Sequence, residues 1–226
     1  MSVHFLREME HLNQQLIAVG DRVEKQVGSA FDAATQLDVA GAQRIILGDD
    51  EIDNMEVQLE EDCLKLLALY QPVANDLRLI VSVLKINNDL ERIGDHTVQI
   101  ARSVISLVEK PPIEIPEAMF SIFKLVKLML RKSLLAFVEA DQSLASTVLD
   151  MDNKVDILCA KAMPAEIEKI RNDTEQIEQR FTLISICRQL ERIGDHASNI
   201  AEDVIYLLSG DIIRHDTNRA VALKTG

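Results

Sequence analysis

Apolar residues recur at steps of three and four along almost the whole chain. Val83, Ile86, Leu90, Ile93, Ile100, Val104 and Leu107, with Thr97 in register, form one such series. It is sustained over about three heptads, which marks a helix whose stripe faces a bundle core. Comparable stripes run over Phe5–Leu37, Ile45–Leu69, Ala118–Val138, Leu144–Met163 and Ile177–Leu208. The interruptions are few. They fall at Leu37–Gly41, at Tyr70-Gln71-Pro72, with Pro72 suited to a helix start, at Glu139–Asp141, at Arg171–Asp173 and at Gly210. The strongest is Lys110-Pro111-Pro112-Ile113-Glu114-Ile115-Pro116. The pattern predicts an all-α chain of six helices, three on each side of that Pro-rich segment.

The two sides repeat each other. LERIGDH occupies Leu90–His96 and returns at Leu190–His196, and both copies run on to Ile-Ala, at Ile100-Ala101 and Ile200-Ala201. One helix earlier, Asp49 and Asp53 align with Asp152 and Asp156 as D-x-x-[IV]-D. The offset is 103 residues there and 100 at LERIGDH, so the second half is shorter between these motifs, as a hairpin connection allows. The resulting organisation is a first three-helix repeat over 1–110, a linker over 111–116, a second repeat over 117–210 and a polar tail over 211–226. A single three-helix unit has a thin core, so the two units are expected to pack as one all-α body.

The repeated polar positions carry the candidate chemistry. Residues four apart share a helix face. Glu91 with Asp95, and Glu191 with Asp195, therefore present paired carboxylates on the flank of the apolar stripe. Asp49 with Asp53, and Asp152 with Asp156, do the same on the preceding helix. The chain has 37 acidic residues among 226, so chance supplies roughly six such pairs; it is repetition in identical context that singles these out. Four carboxylates held together repel one another unless protonated or bridged by cations. Oxygen donors of this kind suit magnesium, manganese, calcium or iron. Gly94 and Gly194 accept about 1 kcal/mol of helix penalty each, which implies close approach of a neighbour beside the carboxylates. His96 and His196 point away from the aspartates and read as hydrogen-bonding residues at the surface or between helices. Arg92 and Arg192 are placed to pair with acidic residues of a neighbour. Glu8-x-x-His11 is the only such motif in the chain, where a di-iron oxidase bundle uses two, so it reads as a polar helix face.

Composition narrows the partners. The net charge is −13, which argues against nucleic acid and against direct docking on an anionic membrane, since both need clustered Lys and Arg. Apolar residues make up 47% of the chain and aromatics 4%, so a core is available and must be aliphatic. Cys63, Cys159 and Cys187 show no C-x-x-C spacing and read as reduced thiols in helices, Cys187 as core within FTLISIC. The start of the chain does not read as a signal peptide, and no apolar run reaches the length of a membrane span. The expected compartment is the cytoplasm. No phosphate loop, nucleophile elbow or thiol–histidine pair is present in the sequence, so the chain does not read as an enzyme. A carboxylate-bridged metalloenzyme and a metal-free acidic scaffold are the competing readings.

Four stretches together resemble the PhoU family of bacterial phosphate-transport regulators. They are IAVGDRVEKQV (Ile17–Val27), QPVANDLRLIVSVLKINNDLERIGDH (Gln71–His96), DNKVD (Asp152–Asp156) and LERIGDHASNIAEDVIYL (Leu190–Leu207). The resemblance implies two tandem three-helix bundles related by pseudo-twofold symmetry. It implies metal clusters on Glu91/Asp95 and Glu191/Asp195, with Asp49/Asp53 and Asp152/Asp156 as partners, holding divalent or trivalent cations such as iron, manganese, magnesium or zinc. It further implies negative regulation of phosphate uptake and of the phosphate-starvation response, through the ATPase of the phosphate ABC transporter and a sensor histidine kinase. Homodimers or larger assemblies are expected.

Overall fold

The computed structural model describes residues 3–211, and those residues are helical apart from short connections. Seven helices follow one another: α1 (Val3–Gln36), α2 (Val39–Leu47), α3 (Asp49–Tyr70), α4 (Ala74–Val108), α5 (Glu117–Glu139), α6 (Gln142–Asn172) and α7 (Ile177–Ser209). Six are the helices the apolar pattern predicts; α2 is the start of the second of them, set off at Gly48. Arg22 crosses that break, donating to Glu51 at 2.7 Å and to the Gly48 carbonyl at 3.1 Å. A methyl group at Gly48 would lie 2.8 Å from the Arg22 guanidinium and 3.1 Å from the Arg44 carbonyl, so a side chain there would push Arg22 aside and crowd the end of α2.

The stripes become the core as expected. Leu12, Leu16, Val23 and Val27 of α1 are buried, as are Ile80, Ile86, Leu90, Ile93 and Ile100 of α4 and Leu183, Leu190, Ile193 and Ile200 of α7. α1, α2, α3 and α4 pack together, as do α5, α6 and α7, and the two groups meet through α4 against α7 and α1 against α5. Both meeting pairs are antiparallel. Lys85 reaches Asp203 at 3.1 Å while His96 and His196 stack with ring centroids 5.4 Å apart. Phe31 of α1 meets Phe123 of α5 edge to face, with ring centroids 5.4 Å apart. Each helix at the junction thus faces its own counterpart in the other repeat, the arrangement a pseudo-twofold axis requires. Ile113 and Ile115 of the linker pack on the core.

Helix ends follow local chemistry. Gly210 closes α7 in the left-handed region at φ 80°, and Gln71 and Ala140 close α3 and α5 the same way. Pro72 stands two residues before α4 and ends the preceding connection instead of opening the helix, because Val73 takes the extended conformation ahead of it. The shortening of the second repeat does not fall in the hairpin connection, which is three residues long between α3 and α4 and four between α6 and α7; it falls in the first turns of α7, where Glu191 stands 14 residues after the helix start against 17 for Glu91 in α4. Apart from Asp211, the tail expected over 211–226 lies outside the described residues.

Candidate metal centre

α3 and α4 bring the first carboxylate set together. Asp49, Asp53, Glu91 and Asp95 act electrostatically on one another across the helix pair, and Glu56 joins them from one turn further along α3. α6 and α7 do the same for Asp152, Asp156, Glu191 and Asp195. The burial pattern of LERIGDH is identical in the two copies: Glu and Asp half-buried, Arg exposed, Ile and Gly buried. In the second set, one carboxylate oxygen each from Asp152, Asp156 and Asp195 lies within 4.8 Å of the others.

Crowding shows in the acidities. Burial raises the carboxyl pKa of Asp49, with further rises from Asp53 and Asp95 and an opposing effect from the Gln26 amide. Burial first, then Asp95, raises Asp53 and Glu91. Burial raises Asp195, with Asp156 adding to it, and burial raises Glu191, with Asp195 adding to it. Asp152 is pushed up to about 6, by burial first and then by Asp156, Asp195 and Glu202. The Ser198 hydroxyl beside it favours the ionised form, yet closes no hydrogen bond of good geometry: Asp152 Oδ1 and Ser198 Oγ are both buried without a partner. A buried oxygen left unsatisfied is costly. A cation among Asp152, Asp156 and Asp195 would supply the missing partner and cancel the mutual repulsion. The donor set fits a hard or borderline cation.

Gly94 and Gly194 each sit against an aspartate of the preceding helix. From the position of a methyl group built on Gly94, Asp49 Oδ1 is 3.6 Å away, Ile52 Cγ2 3.6 Å and Gln26 Oε1 3.7 Å. From Gly194, Val155 Cγ1 is 3.5 Å away, Asp152 Oδ1 3.6 Å and Met129 Cε 3.8 Å. A methyl group at either position would thus meet only ordinary van der Waals contacts, so the helices do not need a glycine there to approach each other, contrary to what the repetition implied. The comparison also pairs Gln26 with Met129, which the sequence reading did not single out. Gln26 Nε2 donates to Asp49 Oδ1 at 3.2 Å, while its Oε1 is buried without a partner.

The basic residues fall out differently. Arg92 pairs within its own helix, with Asp95 and Glu91 at 3.4 Å each, and not with a neighbour; the side chains are one and three positions apart, within easy reach. His96 and His196 bond across the α4–α7 junction, Nδ1 of His96 to Gln189 Oε1 at 2.8 Å and Nδ1 of His196 to Asp89 Oδ1 at 2.7 Å. They join helices and do not face the carboxylate sets. The three cysteines are free thiols, all buried.

A twice-repeated three-helix bundle, each copy carrying its carboxylates on facing helices, defines a narrow class of all-helical proteins. The family model for the PhoU domain matches residues 16–104 and 120–204, and the chain belongs to the PhoU family. A phosphate-specific transport system accessory protein PhoU homolog of Pseudomonas aeruginosa is 39% identical over 218 residues, 95% of this chain and 89% of that protein. One from Aquifex aeolicus is 36% identical over 92% of this chain and 95% of its own length. The crystal structure of PhoU from Pseudomonas aeruginosa superposes with a TM-score of 0.87 at 40% identity, covering 92% of this chain and all of that one. That of the phosphate transport system regulatory protein PhoU from Streptococcus pneumoniae gives 0.85 at 31%, over 92% and 98%. The family is one of accessory and regulatory proteins and not of enzymes. Among the described residues, no helix is long and apolar enough to cross a membrane.

Proposed function

We propose that this chain is a metal-bearing adaptor that restrains phosphate uptake and the phosphate-starvation response in the cytoplasm, linking the ATPase of a phosphate ABC transporter to a sensor histidine kinase. The coarse role, regulation of phosphate transport, accompanies the family to which the chain belongs. The observation that supports the finer reading is the pair of carboxylate sets, repeated in place and burial on two bundles. The sets would hold iron, manganese, magnesium or zinc through Asp49, Asp53, Glu91 and Asp95 in one bundle and through Asp152, Asp156, Glu191 and Asp195 in the other. A bound cation supplies positive charge that fixes α3 to α4 and α6 to α7.

The protein's own part is positional. Two rigid bundles joined along α4 and α7 present a fixed surface. A partner that contacts that surface differently in two transporter states shifts the kinase equilibrium by the difference in contact energy. Assembly as a homodimer would present the surface twice.

The test is genetic and analytical together. A strain lacking the protein is complemented with the native chain or with Glu91→Ala/Glu191→Ala, and a phosphate-responsive promoter is read at high phosphate. The native chain is expected to silence the promoter, and the variant to leave it on. Elemental analysis of the same proteins, purified without added metal, is expected to find metal in the native chain alone. A promoter that responds normally without the protein would remove the regulatory reading; a silent promoter with metal-free native protein would leave an acidic, metal-free adaptor.

A further inference from the structure

The internal repeat equates Asp49 with Asp152, and the neighbours of these two acids are where the copies part. Gln26 of α1 and Met129 of α5 are equivalent at the offset of 103 residues that aligns the aspartates, and they take the same place beside Gly94 and Gly194. The Gln26 amide donates to Asp49 Oδ1 at 3.2 Å; a methionine side chain has no proton to donate to Asp152. At the offset of 100 that aligns LERIGDH, Val98 of α4 is equivalent to Ser198 of α7. Val98 is buried and apolar, whereas the Ser198 hydroxyl stands beside the Asp152 carboxylate. The neutral polar group beside the aspartate thus comes from α1 in the first bundle and from α7 in the second.

The exchange leaves the two aspartates in opposite states. Asp49 holds its N–H bond. Asp152 Oδ1 is buried with no hydrogen-bond partner, and so is Ser198 Oγ, on a side chain more than nine-tenths buried. The acids differ in the same direction. Among the described residues, the second set alone brings three carboxylate oxygens within 4.8 Å of one another, from Asp152, Asp156 and Asp195. Donors already gathered cost a ligand less ordering than donors it must draw together. A carboxylate oxygen without a hydrogen bond also gives nothing up on binding, whereas a buried one that has a partner must be separated from it. In the first set a cation competes with the Gln26 amide for Asp49 Oδ1.

We propose that the two sets are unequal: the second is the primary cation site, filled first, with the Ser198 hydroxyl as a neutral oxygen beside Asp152, Asp156 and Asp195, and the first is secondary, held to weaker binding by the Gln26 amide. The inference rests on the reading that the carboxylate sets bind metal. Gln26 and Met129 are positioning residues, acting through Asp49 and Asp152, and amide against thioether at this one repeated place sets the order of filling. Between the two affinities the chain carries metal in its second bundle and none in its first. Two equal sites would spread the same amount of metal over both bundles.

The test titrates metal-stripped protein with manganese and follows the free ion by electron paramagnetic resonance. The native chain is expected to show two classes of binding at least about tenfold apart, the range over which a group one step removed from a metal changes affinity. Asp152→Asn is expected to remove the tighter class and Asp49→Asn the weaker. Ser198→Ala is expected to weaken the tighter class about tenfold. The exchange Gln26→Met/Met129→Gln, checked for helix content, is expected to strengthen the weaker class and weaken the tighter. A single class in the native chain would overturn the inequality while leaving metal binding in place, and that measurement needs no variant to fold. So would a tighter class lost in Asp49→Asn and kept in Asp152→Asn, as it would be if Gln26 Oε1 were itself a ligand. An exchange that folds and moves neither class would overturn the part given to Gln26 and Met129. No manganese bound by the native chain would overturn the metal reading itself.

Discussion

Asp152→Asn separates the effect of crowded charge from the effect of a bound cation. The carboxyl of Asp152 moves from an ordinary 3.8 to about 6 in the folded chain. Between those values the folded protein holds a proton that the unfolded chain has released, so stability falls as pH rises through the window and stays reduced above it. The full shift corresponds to about 3 kcal/mol; partial solvent access of the side chain reduces this to about 1–2 kcal/mol. Asparagine keeps the shape and cannot ionise. In chelator at pH 7.5, Asp152→Asn is therefore expected to be more stable than the native chain by about 1–2 kcal/mol, a rise in Tm of about 2–8 °C for a chain of this size. At pH 3.5, where native Asp152 is protonated in the folded chain and mostly so in the unfolded one, the difference is expected to shrink to about a few tenths of a kcal/mol. With metal the order reverses. A cation at about one hundred times its Kd stabilises the native chain by about 2.7 kcal/mol, and the asparagine variant loses much of that. Urea unfolding followed by circular dichroism at both pH values, with chelator and with manganese, measures all four quantities. A variant less stable than native in chelator at pH 7.5, by the same amount at both pH values, would show that Asp152 contributes packing or hydrogen bonding and not strained charge.

Gly94→Ala places its methyl group in ordinary contact with Asp49 and Ile52, at 3.6 Å, so helix propensity dominates. A gain of up to about 1 kcal/mol in chelator is expected by urea unfolding, and a loss of that size would mean the helices cannot give the methyl room. Asp89→Ala removes the partner of both His196, at 2.7 Å, and Asn199, at 3.1 Å, and is expected to cost about 1–3 kcal/mol. Gln189→Ala at the twin position removes a single 2.8 Å hydrogen bond with His96 and should cost less; equal losses in thermal unfolding would contradict the asymmetry. Burial pushes the Cys63 thiol up to about 12, so at pH 8 it should react with a disulfide reagent only at the rate at which the chain unfolds, as stopped-flow absorbance would show.

The helices were legible because their stripes are long and aliphatic: nothing competes with the series from Val83 to Leu107. The acid positions were legible because the repeat preserves the letters themselves, Glu91 and Asp95 returning as Glu191 and Asp195. What the repeat changes was harder to see. Gln26 and Met129 share no chemistry, so identity cannot align them; only the offset of 103, carried back into the first helix, would have done so. The break at Gly48 was hidden because Gly48-Asp49-Asp50 also reads as a polar helix start, and the residue that holds it open, Arg22, is 26 positions away. Cys187 was read as core, and it is buried there; its neighbour Cys159 lies on another helix, beyond the reach of any local pattern.

The crossing of α4 and α7 brings one residue onto its own twin, His96 stacked on His196. In an assembly of two identical chains, any change at such a place is made on both sides at once, and the two sides can never differ. Here the halves are written separately in one gene. Asp89 can face His196 while Gln189 faces His96, a combination that a strictly symmetric pair has no way to encode. Covalent continuity thus lets the two halves mutate apart while remaining bound to each other, so that one can be tuned by selection without changing the other.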